Sequence, residues 1–225
     1  MNHIELKPYP FPEGVTIPRL MPYQDRAFNG DGYLAAEVLR LKAAHGLECA
    51  IETGTCLGST ALWLSEHFNG VWTFEINEQY HAIADKRIGG RNNIFPLLMD
   101  SVRGLRHTLQ ADHAPPLFRA PFLLWADAHW QNHCPLLDEL EAIAKAGVKP
   151  CIVIHDMMVY GKDFGYDKMP DGRPFSLELV APYMNRIYGA GMWRHRTPEQ
   201  TEGANRGWLS TWPASAAETM EPTEP

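Results

Sequence analysis

The sequence predicts an α/β protein with a doubly wound sheet, mostly parallel and ending in a C-terminal antiparallel hairpin. Between residues 32 and 156, short and continuously apolar stretches alternate with stretches whose apolar residues recur at helical spacing. Strands that are apolar along their whole length are typical of parallel sheets covered by helices on both faces. The 225 residues of the chain suffice for one large domain with short additions at its ends.

The individual elements follow from composition and from start and stop signals. Strands are predicted at ECAIETG, GVWTFEIN, NIFPLLMD, APFLLWADA and KPCIVIHDM. Pro96 weakens the third strand, because proline cannot donate to a strand ladder. Helices are predicted over residues 32–46, 59–68, 78–88, 135–146 and 176–188, with Ser59 near the start of the second. The stretches MWRHRTP and RGWLSTWP predict the closing hairpin.

Three regions are distinguished along the chain. Residues 1–30 are rich in proline, which fixes the backbone angle φ and removes a hydrogen-bond donor, so we expect an extended N-terminal arm that lies on the domain. Residues 31–213 form the predicted main domain, in which residues 158–176 predict a long loop. Residues 214–225 are polar and acidic and are predicted to be disordered.

Composition and charge disfavour several classes of protein. The formal net charge of −7 disfavours a general binder of nucleic acid or of anionic membranes, because both need a basic face. No apolar run approaches the ~20 residues that span a bilayer, and the first residues lack the layout of a signal peptide. The four cysteines show no paired spacing, which predicts free thiols and a cytoplasmic location.

Polar residues follow all five predicted strands of the parallel sheet. The edge at which parallel strands end, here called the carboxyl-end rim, is where open sheets of this class bind ligands. Polar groups at five successive strand ends are not explained by packing alone, so the sequence predicts a binding site there. The residues, in strand order, are Glu52, Thr53, Gly54, Thr55 and Gly58; Glu75 and Asn77; Asp100 and Ser101; Asp127, His129 and Trp130; and His155 and Asp156.

The first turn, in the stretch CAIETGTCLGST, favours an adenosine ligand. Gly54 and Gly58 have no Cβ, so their backbone N–H groups can approach a ligand closely. Glu75 can accept two hydrogen bonds from a ribose diol, and Asp100 can accept one from the exocyclic amine of adenine. The sequence contains neither a Gly-x-Gly-x-x-Gly fingerprint nor a Gly-Lys-Ser/Thr phosphate loop. With Glu52 at the turn, a ligand with a cationic end fits better than a pyrophosphate.

The ordered motifs IETGTCLGST, FEIN and MDS resemble the cofactor motifs of class I S-adenosylmethionine (SAM)-dependent methyltransferases, which have a Rossmann-like fold. The stretches WADAHW, PLLDELEAI and IVIHD resemble the small-molecule O-methyltransferase branch that includes sugar, macrolide and cephalosporin-tailoring enzymes. The resemblance covers residues 46–156 and implies methionine contacts from the glycine turn, a ribose contact from Glu75 and adenine contacts after the third strand. The full predicted cofactor set is Glu52, Gly54, Thr55, Gly58, Ser59, Glu75, Asn77, Asp100 and Ser101.

A second constellation follows the fourth and fifth strands. Asp127 and Asp156 stand one strand–helix–strand crossover apart, so their carboxylates can converge at the rim and hold Mg²⁺ or Mn²⁺. The resemblance maps both residues as ligands of a metal that holds a substrate diol and lowers the pKa of its hydroxyl. His155 is a departure, because related enzymes more often have an acid, or an Asp-Asn pair, there. The predicted metal ligands are Asp127, His155 and Asp156, and the predicted catalytic residues are these three and His129.

Alternatives remain open at this centre. With His129 nearby, an imidazole-rich site favours Mn, Fe or Zn, whereas a metal-free site would use His129 or His155 as the general base. The sequence as a whole predicts a SAM-dependent O-methyltransferase for a small hydroxylated molecule. The other candidates are a protein that binds an adenosine ligand without methyl transfer, and a metal-dependent hydroxylase of the same fold.

Three further expectations concern the surroundings of the site. The loop from Tyr160 to Phe175 is predicted to be a lid that excludes water. The N-terminal arm is compatible with a homodimer. In the predicted helix at residues 135–146, we expect the acids to form a solvated face; they are Asp138, Glu139 and Glu141.

Overall fold

The computed structural model describes residues 3–15, 17, 22–109, 118, 120–130 and 133–215. Within these residues, seven strands form one sheet: β1 (Cys49–Thr53), β2 (Gly70–Glu75), β3 (Ile94–Leu98), β4 (Leu123–Ala126), β5 (Cys151–His155), β6 (Trp193–Arg196) and β7 (Trp208–Pro213). The helices are α1 (Gly32–His45), α2 (Ser59–His67), α3 (Glu78–Ile88), α4 (Ser101–Leu109), α5 (Leu136–Ala146) and α6 (Leu177–Tyr188). The predicted disordered tail lies outside the described residues from residue 216 onward.

The strand order across the sheet is β3-β2-β1-β4-β5-β7-β6. Strands β1 to β5 pair in parallel, β7 pairs antiparallel with β5, and β6 pairs antiparallel with β7. The predicted sheet, mostly parallel with a C-terminal antiparallel hairpin, is therefore confirmed. Because the chain crosses from one side of β1 to the other, the carboxyl ends of β1, β2 and β4 form the switch point at which such sheets bind ligands.

Each face of the sheet carries its own apolar core. Helices α1, α2 and α3 pack on one face, and α4, α5 and α6 pack on the other. Strands β1, β4 and β5 are buried at every position, which explains why their sequences are apolar without alternation. Pro96 lies in β3 at the edge of the sheet, where a missing donor is tolerated.

Two predictions from composition can be compared with the structure. All four cysteines, Cys49, Cys56, Cys134 and Cys151, are free thiols, as the absence of paired spacing predicts. In the part of the chain that the structure describes, no helix combines the length and the apolar character needed to cross a membrane.

Helix α4 is not among the predicted elements, because its buried face contains small residues instead of a continuous apolar stripe. Gly104 lies at the centre of this face. A Cβ on Gly104 would lie 2.5 Å from Cδ1 of Phe74 in β2, so only glycine lets the helix pack this close to the sheet. Glycine also lowers helix propensity, so the residue that allows the close packing makes the helix difficult to predict from the sequence.

The N-terminal arm lies against the α2–α3 side of the domain. Leu6 and Tyr9 are buried, and the N–H of Tyr9 donates to the carbonyl of Asp25 at 2.7 Å. The buried guanidinium of Arg87 in α3 donates to the Tyr9 carbonyl at 2.6 Å and lies 4.0 Å from the centre of the Phe11 ring. One arginine thus holds the arm through both a hydrogen bond and a cation–π contact.

The turn between β1 and α2 explains the small residues of the CAIETGTCLGST stretch. Gly54 has a φ of 83°, a left-handed conformation that residues with a Cβ adopt at a cost. A Cβ on Gly54 would lie 2.5 Å from the carbonyl oxygen of Asp127, the first residue after β4. Gly58, with a φ of 82°, is the N-cap residue of α2, and the helix begins at Ser59 as predicted. Gly54 is therefore required because the backbone after β1 runs directly against the backbone after β4.

We expect Gly54→Ala to lower the free energy of unfolding by about 3 kcal/mol or more, because a backbone carbonyl opposes the new Cβ. Gly46→Ala is the matched control: Gly46 also has a positive φ, 64°, but no neighbouring atom lies within 4 Å of its Cβ position. The control substitution should lower the free energy of unfolding by only about 1–2 kcal/mol, because its only cost is a left-handed conformation for alanine. Urea unfolding followed by circular dichroism measures both values, and equal losses would contradict the close approach at Gly54.

Candidate active site

The acid of the first turn motif, Glu52, lies inside β1 and not at the turn where it is expected. Its side chain is buried; the hydroxyl of Thr73 in β2 donates to it at 2.5 Å, and the hydroxyls of Thr73 and Thr55 are also 2.5 Å apart. Burial raises the pKa of Glu52 to about 8, although the Thr73 hydrogen bond acts in the opposite direction. At neutral pH this carboxyl group is therefore largely protonated, and it does not present a charge at the turn.

The carboxylate of Glu75 joins the turns that follow β1 and β2. Its Oε2 accepts from the N–H of Cys56 at 2.7 Å, and its Oε1 accepts from the N–H of Asn77 at 2.8 Å. Burial raises the pKa of Glu75, and these backbone hydrogen bonds oppose that rise. Each oxygen of an ionised carboxylate can accept more than one hydrogen bond. Both Glu75 oxygens therefore keep the capacity for a second donor at the end of β2.

The backbone N–H groups of the glycine turn are bonded within the protein. Those of Gly54 and Thr55 both donate to the carbonyl of Phe74, at 3.0 and 3.1 Å, and that of Gly58 donates to the carbonyl of Thr55 at 2.8 Å. The N–H groups of Gly54 and Gly58 themselves therefore have partners within the fold, and contact between the glycine turn and a ligand stays a prediction. These two glycines serve the close passage of neighbouring backbones and the start of α2.

The remaining predicted cofactor residues lie at or beside the first residues of helices. Ser59 opens α2, and its hydroxyl donates to a backbone carbonyl at 2.6 Å. Asn77 caps α3 and Asp100 precedes α4; the Oδ1 atom of each accepts from backbone N–H groups of its helix. The Ser101 hydroxyl is buried and has no hydrogen-bond partner within the described residues. The Oδ2 atom of Asp100 lies 4.0 Å from Nε2 of His133, a residue not predicted at the site.

Four side chains meet beyond β4 and β5, and they are the four predicted catalytic residues. Nε2 of His129 lies 2.9 Å from Oδ2 of Asp156 and 3.7 Å from Oδ1 of Asp127. Nδ1 of His155 lies 3.2 Å from Oδ1 of Asp127 and 3.4 Å from Oδ2 of Asp156. Each imidazole nitrogen therefore contacts both carboxylates. We call this group the acid–imidazole centre.

The charges of the acid–imidazole centre control its protonation. Burial lowers the pKa of His155, but the carboxylates of Asp156 and Asp127 outweigh burial and raise that pKa well above 6.5. The pKa of His129 is raised for the same reasons. Burial raises the pKa of Asp156, yet the two imidazoles hold it well below 3.8. The centre therefore holds mutually neutralising charges in a place from which water is largely excluded.

Two residues outside the predicted motifs belong to the same centre. Nε of Arg206 donates to Oδ1 of Asp156, and Nη2 of Arg206 donates to Oδ1 of Asp167. Oδ2 of Asp167 lies 3.9 Å from Nε2 of His129. Arg206 stands just before β7, and because β7 runs antiparallel to β5, that position falls beside the carboxyl end of β5. This topology is the one signal that points to Arg206, and no local motif marks it.

Of the acids expected on a solvated face of α5, Asp138 is exposed and Glu139 is not. Glu139 is 1% exposed, and burial raises its pKa to about 7. It lies near Ser101 and Thr53, and its Oε1 has no hydrogen-bond partner within the described residues. The prediction of a solvated side chain is therefore wrong for Glu139, because the first turn of α5 faces the end of β1.

The loop of residues 157–175, which matches the predicted loop of residues 158–176 within one residue at each end, contains no helix and no regular strand. It is held by backbone hydrogen bonds, among them Asp167 N–H to Asp156 carbonyl at 2.9 Å and Met158 N–H to Phe175 carbonyl at 2.6 Å. The Phe175 ring packs edge-on against the His129 ring, with centroids 4.8 Å apart. The loop therefore forms part of the wall of the acid–imidazole centre, and its role as a lid remains a prediction.

The sheet order, the antiparallel β7 and the polar carboxyl-end rim define a Rossmann-like fold of the class I methyltransferase type. A solved O-methyltransferase, TomG from Streptomyces achromogenes, involved in tomaymycin synthesis and in complex with SAM, matches with a TM-score of 0.58 over 82% of this chain and 81% of its own, at 14% identity. A protein from Klebsiella pneumoniae assigned as an O-methyltransferase matches with a TM-score of 0.57 over 91% and 84%, at 11% identity.

A third structure, from Staphylococcus aureus and assigned as a caffeoyl-CoA O-methyltransferase, matches with a TM-score of 0.52 over 80% of this chain and 83% of its own, at 11% identity. No model of a known protein family matches the sequence, and no curated protein sequence matches it. At such low identities the likeness shows the fold. The resemblance seen in the cofactor motifs is confirmed at that level.

We expect the stability of a Glu52→Gln variant to improve relative to the wild type as pH rises. The folded wild type keeps the Glu52 proton up to a pKa of about 8, whereas the unfolded chain loses it near 4.5, so folding becomes less favourable between these values. Glutamine keeps the acceptor for Thr73 and has no such dependence. Between pH 5 and pH 8, the difference in unfolding free energy between the variant and the wild type should change by roughly 2–4 kcal/mol in favour of the variant. A difference that is the same at both pH values would mean that Glu52 is ionised in the folded protein.

Proposed function

We propose that this protein is a SAM-dependent O-methyltransferase that acts on a small hydroxylated molecule of the sugar or natural-product type, assisted by a divalent metal. The observation that carries the proposal is the contact between Gly54 and Asp127, where a Cβ would lie 2.5 Å from the Asp127 carbonyl oxygen. Methyl transfer requires a methyl donor and an acceptor oxygen held within reach of each other. This contact makes the turn between β1 and α2 and the acid–imidazole centre direct neighbours.

The residues beside β2 and β3 fit an adenosine. Glu75 has two anchored carboxylate oxygens for the ribose hydroxyls. Ile76, which follows it, is 56% exposed and offers an apolar surface to a planar base, and Asp100 has an exposed oxygen for an exocyclic amine. When bound, SAM supplies an electrophilic methyl group on a positively charged sulfur. The carboxylates of Asp127 and Asp156 favour such a cation nearby.

The acid–imidazole centre fits a divalent metal. Two ligand atoms that each lie ~2.1 Å from one ion are separated by about 3.0–3.4 Å. The four nitrogen–oxygen distances of the centre, 2.9, 3.2, 3.4 and 3.7 Å, span this range. Two imidazole donors favour Mn²⁺, Fe²⁺ or Zn²⁺ over Mg²⁺, which prefers oxygen. A bound metal would supply Lewis acidity that lowers the pKa of the acceptor hydroxyl. Its ligands would be Asp127, His129 and Asp156, whose ligand atoms lie within 4.8 Å of one another. His155, the other predicted ligand, is outside that group but contacts both carboxylates through Nδ1.

The side chains of the centre have distinct roles in this proposal. Asp127 is the most exposed of the four, at 22% of its side chain, and is placed to orient the acceptor hydroxyl and take its proton. His129 and His155, almost fully buried, hold the two carboxylates in position when no metal is bound, through the nitrogens that face the proposed metal position. Phe175 covers His129 and helps to exclude water. The contribution of the protein is mainly positioning and placement of charge.

The cofactor half of the proposal predicts that Glu75→Gln weakens binding of S-adenosylhomocysteine at least tenfold. Glutamine has one acceptor oxygen instead of two, so one backbone N–H and one ribose hydroxyl lose a charged partner. Glu78→Gln is the matched control, because Glu78 is an exposed acid in the first turn of α3, three residues away. Isothermal titration calorimetry measures both affinities. Wild-type protein that binds neither SAM nor S-adenosylhomocysteine at millimolar concentration would overturn the proposal.

The metal half predicts that Asp127→Asn weakens Mn²⁺ binding at least tenfold while cofactor affinity stays within about threefold, because the residue lies on the acceptor side. Asp138→Asn, an exposed acid of α5, should change neither value. Electron paramagnetic resonance measures free Mn²⁺ in such titrations. Loss of cofactor affinity without loss of metal affinity would contradict the assignment.

Methyl transfer is tested by incubating the Mn²⁺-loaded protein and SAM with sugars, polyols and phenols and detecting O-methylated product by mass spectrometry. Cofactor binding without transfer to any acceptor would favour the scaffold that binds an adenosine ligand without chemistry. Product that carries an added oxygen instead of a methyl group would favour the hydroxylase.

A further inference from the structure

We propose that Arg206 is a positioning residue that locks the Asp156 carboxylate in one orientation and ties it to the loop of residues 157–175 through Asp167. The three residues Arg206, Asp156 and Asp167 are called the Arg206 latch. Nε of the guanidinium donates to Asp156 and Nη2 donates to Asp167, so one planar group bridges two carboxylates. Arginine is suited to this role, because its donors diverge from a rigid plane and it remains charged at all relevant pH values.

The latch divides the two oxygens of Asp156 between separate tasks. Oδ1 accepts from Arg206, whereas Oδ2 lies 2.9 Å from Nε2 of His129 and 3.4 Å from Nδ1 of His155. Within the described residues, the guanidinium is the side-chain partner of Oδ1, and without it this oxygen would no longer be held away from the imidazoles. Asp156 also has a φ of 58°, a conformation that is uncommon outside glycine and marks a tightly constrained position. Arg206 therefore fixes the orientation in which the other carboxylate oxygen faces the acid–imidazole centre.

The backbone on both sides of Arg206 is fixed to the same loop. The N–H of Gly165 donates to the Asn205 carbonyl and the N–H of Gly207 donates to the Gly165 carbonyl, both at 2.9 Å. A Cβ on Gly165 would lie 2.8 Å from Cδ of Arg206, so the arginine side chain lies directly on the loop backbone. The N–H of Asp167 donates to the Asp156 carbonyl at 2.9 Å. The loop, Arg206 and Asp156 are thus joined through both side chains and backbone.

This arrangement has a consequence for the acceptor side of the site. Because Arg206 bonds to both carboxylates, a movement of the loop that displaces Asp167 also shifts the guanidinium. The shifted guanidinium in turn changes the orientation of the Asp156 carboxylate. The effect of the latch on metal and acceptor binding rests on the proposed function, whereas the coupling of the loop to Asp156 does not. The two parts can therefore be tested separately.

The experiment compares four variants with the wild type. Arg206→Ala removes both halves of the latch, and Arg206→Lys keeps the charge with a point donor that cannot bridge both carboxylates in the same way. Asp167→Asn weakens the loop half alone. Arg173→Ala is the matched control, since Arg173 lies in the same loop and pairs with Asp171 at the exposed surface. Hydrogen exchange of loop peptides, crystal structures and Mn²⁺ titration are the three measurements.

We expect amide exchange at residues 165–175 to become about tenfold faster in Arg206→Ala and faster to a smaller extent in Asp167→Asn, with no change in Arg173→Ala. The crystal structure of Arg206→Ala should show the Asp156 carboxylate in a new orientation or in two alternate orientations. Mn²⁺ affinity should fall about tenfold in Arg206→Ala, recover in part in Arg206→Lys and fall to a smaller extent in Asp167→Asn, in which Arg206 still bonds to Asp156.

Exchange that is unchanged in both Arg206→Lys and Asp167→Asn would overturn the coupling, even if Arg206→Ala fails to fold. An Asp156 carboxylate that keeps its orientation in the Arg206 variants would overturn the positioning role. A wild type that shows the expected exchange differences between variants but binds no Mn²⁺ would support the latch and reject the metal part of the proposed function.

Discussion

The arrangement of the site depends on one close approach, that of the backbone at Gly54 to the backbone at Asp127. Thr53 and Ala126 are partners in the pairing of β1 with β4, so the residues that follow them leave the sheet side by side. The N–H of Asp127 donates back to the Thr53 carbonyl at 3.2 Å, and the space beside Gly54 is too small for a Cβ. Glycine therefore fixes the distance between two turns that belong to different motifs. The turn after β1, which is bonded to the Glu75 carboxylate, therefore lies directly beside Asp127, the first acid of the acid–imidazole centre. No side chain separates the two, and their contact forms a common wall of the site.

Near that wall, the acids beneath the rim and those above it differ in whether a cation compensates their charge. Glu52 and Glu139 lie beneath the rim without a cation in contact, and burial raises their pKa to about 8 and about 7. The acids above the rim are instead paired with two imidazoles and one guanidinium, and the pKa of Asp156 is held low. Of these three cations, only the imidazoles can exchange a proton for a metal, since arginine stays protonated. The Arg206 charge is therefore constant, and it compensates part of the negative charge of the centre whichever ligand is bound.

The sequence predicted the parts of the structure that are encoded locally. Strands β1, β4 and β5 are apolar along their whole length because both faces are covered, and α3 has the predicted bounds, with Asn77 as its cap and Gly89 after its end. The parts it could not predict depend on contacts between distant segments. Gly104 lowers the helix propensity of α4, but it also lets the helix pack closely on the sheet. The burial of Glu139 depends on how α5 lies on the sheet. The bonding of the Gly54 and Thr55 N–H groups is likewise set by a distant segment, because their acceptor, the Phe74 carbonyl, lies in β2.

The two halves of the site differ in where their positions are encoded. The residues that the proposal assigns to the cofactor come from β1, β2, β3 and the turns that follow them, where the short ordered motifs lie. The acceptor side also depends on the loop of residues 157–175 and on Arg206, which reaches the centre only because β7 runs back along β5. The motif resemblance covers residues 46–156 and stops where the parallel part of the sheet ends, whereas the likeness in fold spans 80–91% of the chain. Under the proposed function, acceptor specificity can change in the loop and before β7 while the contact between Gly54 and Asp127 keeps the first turn in place.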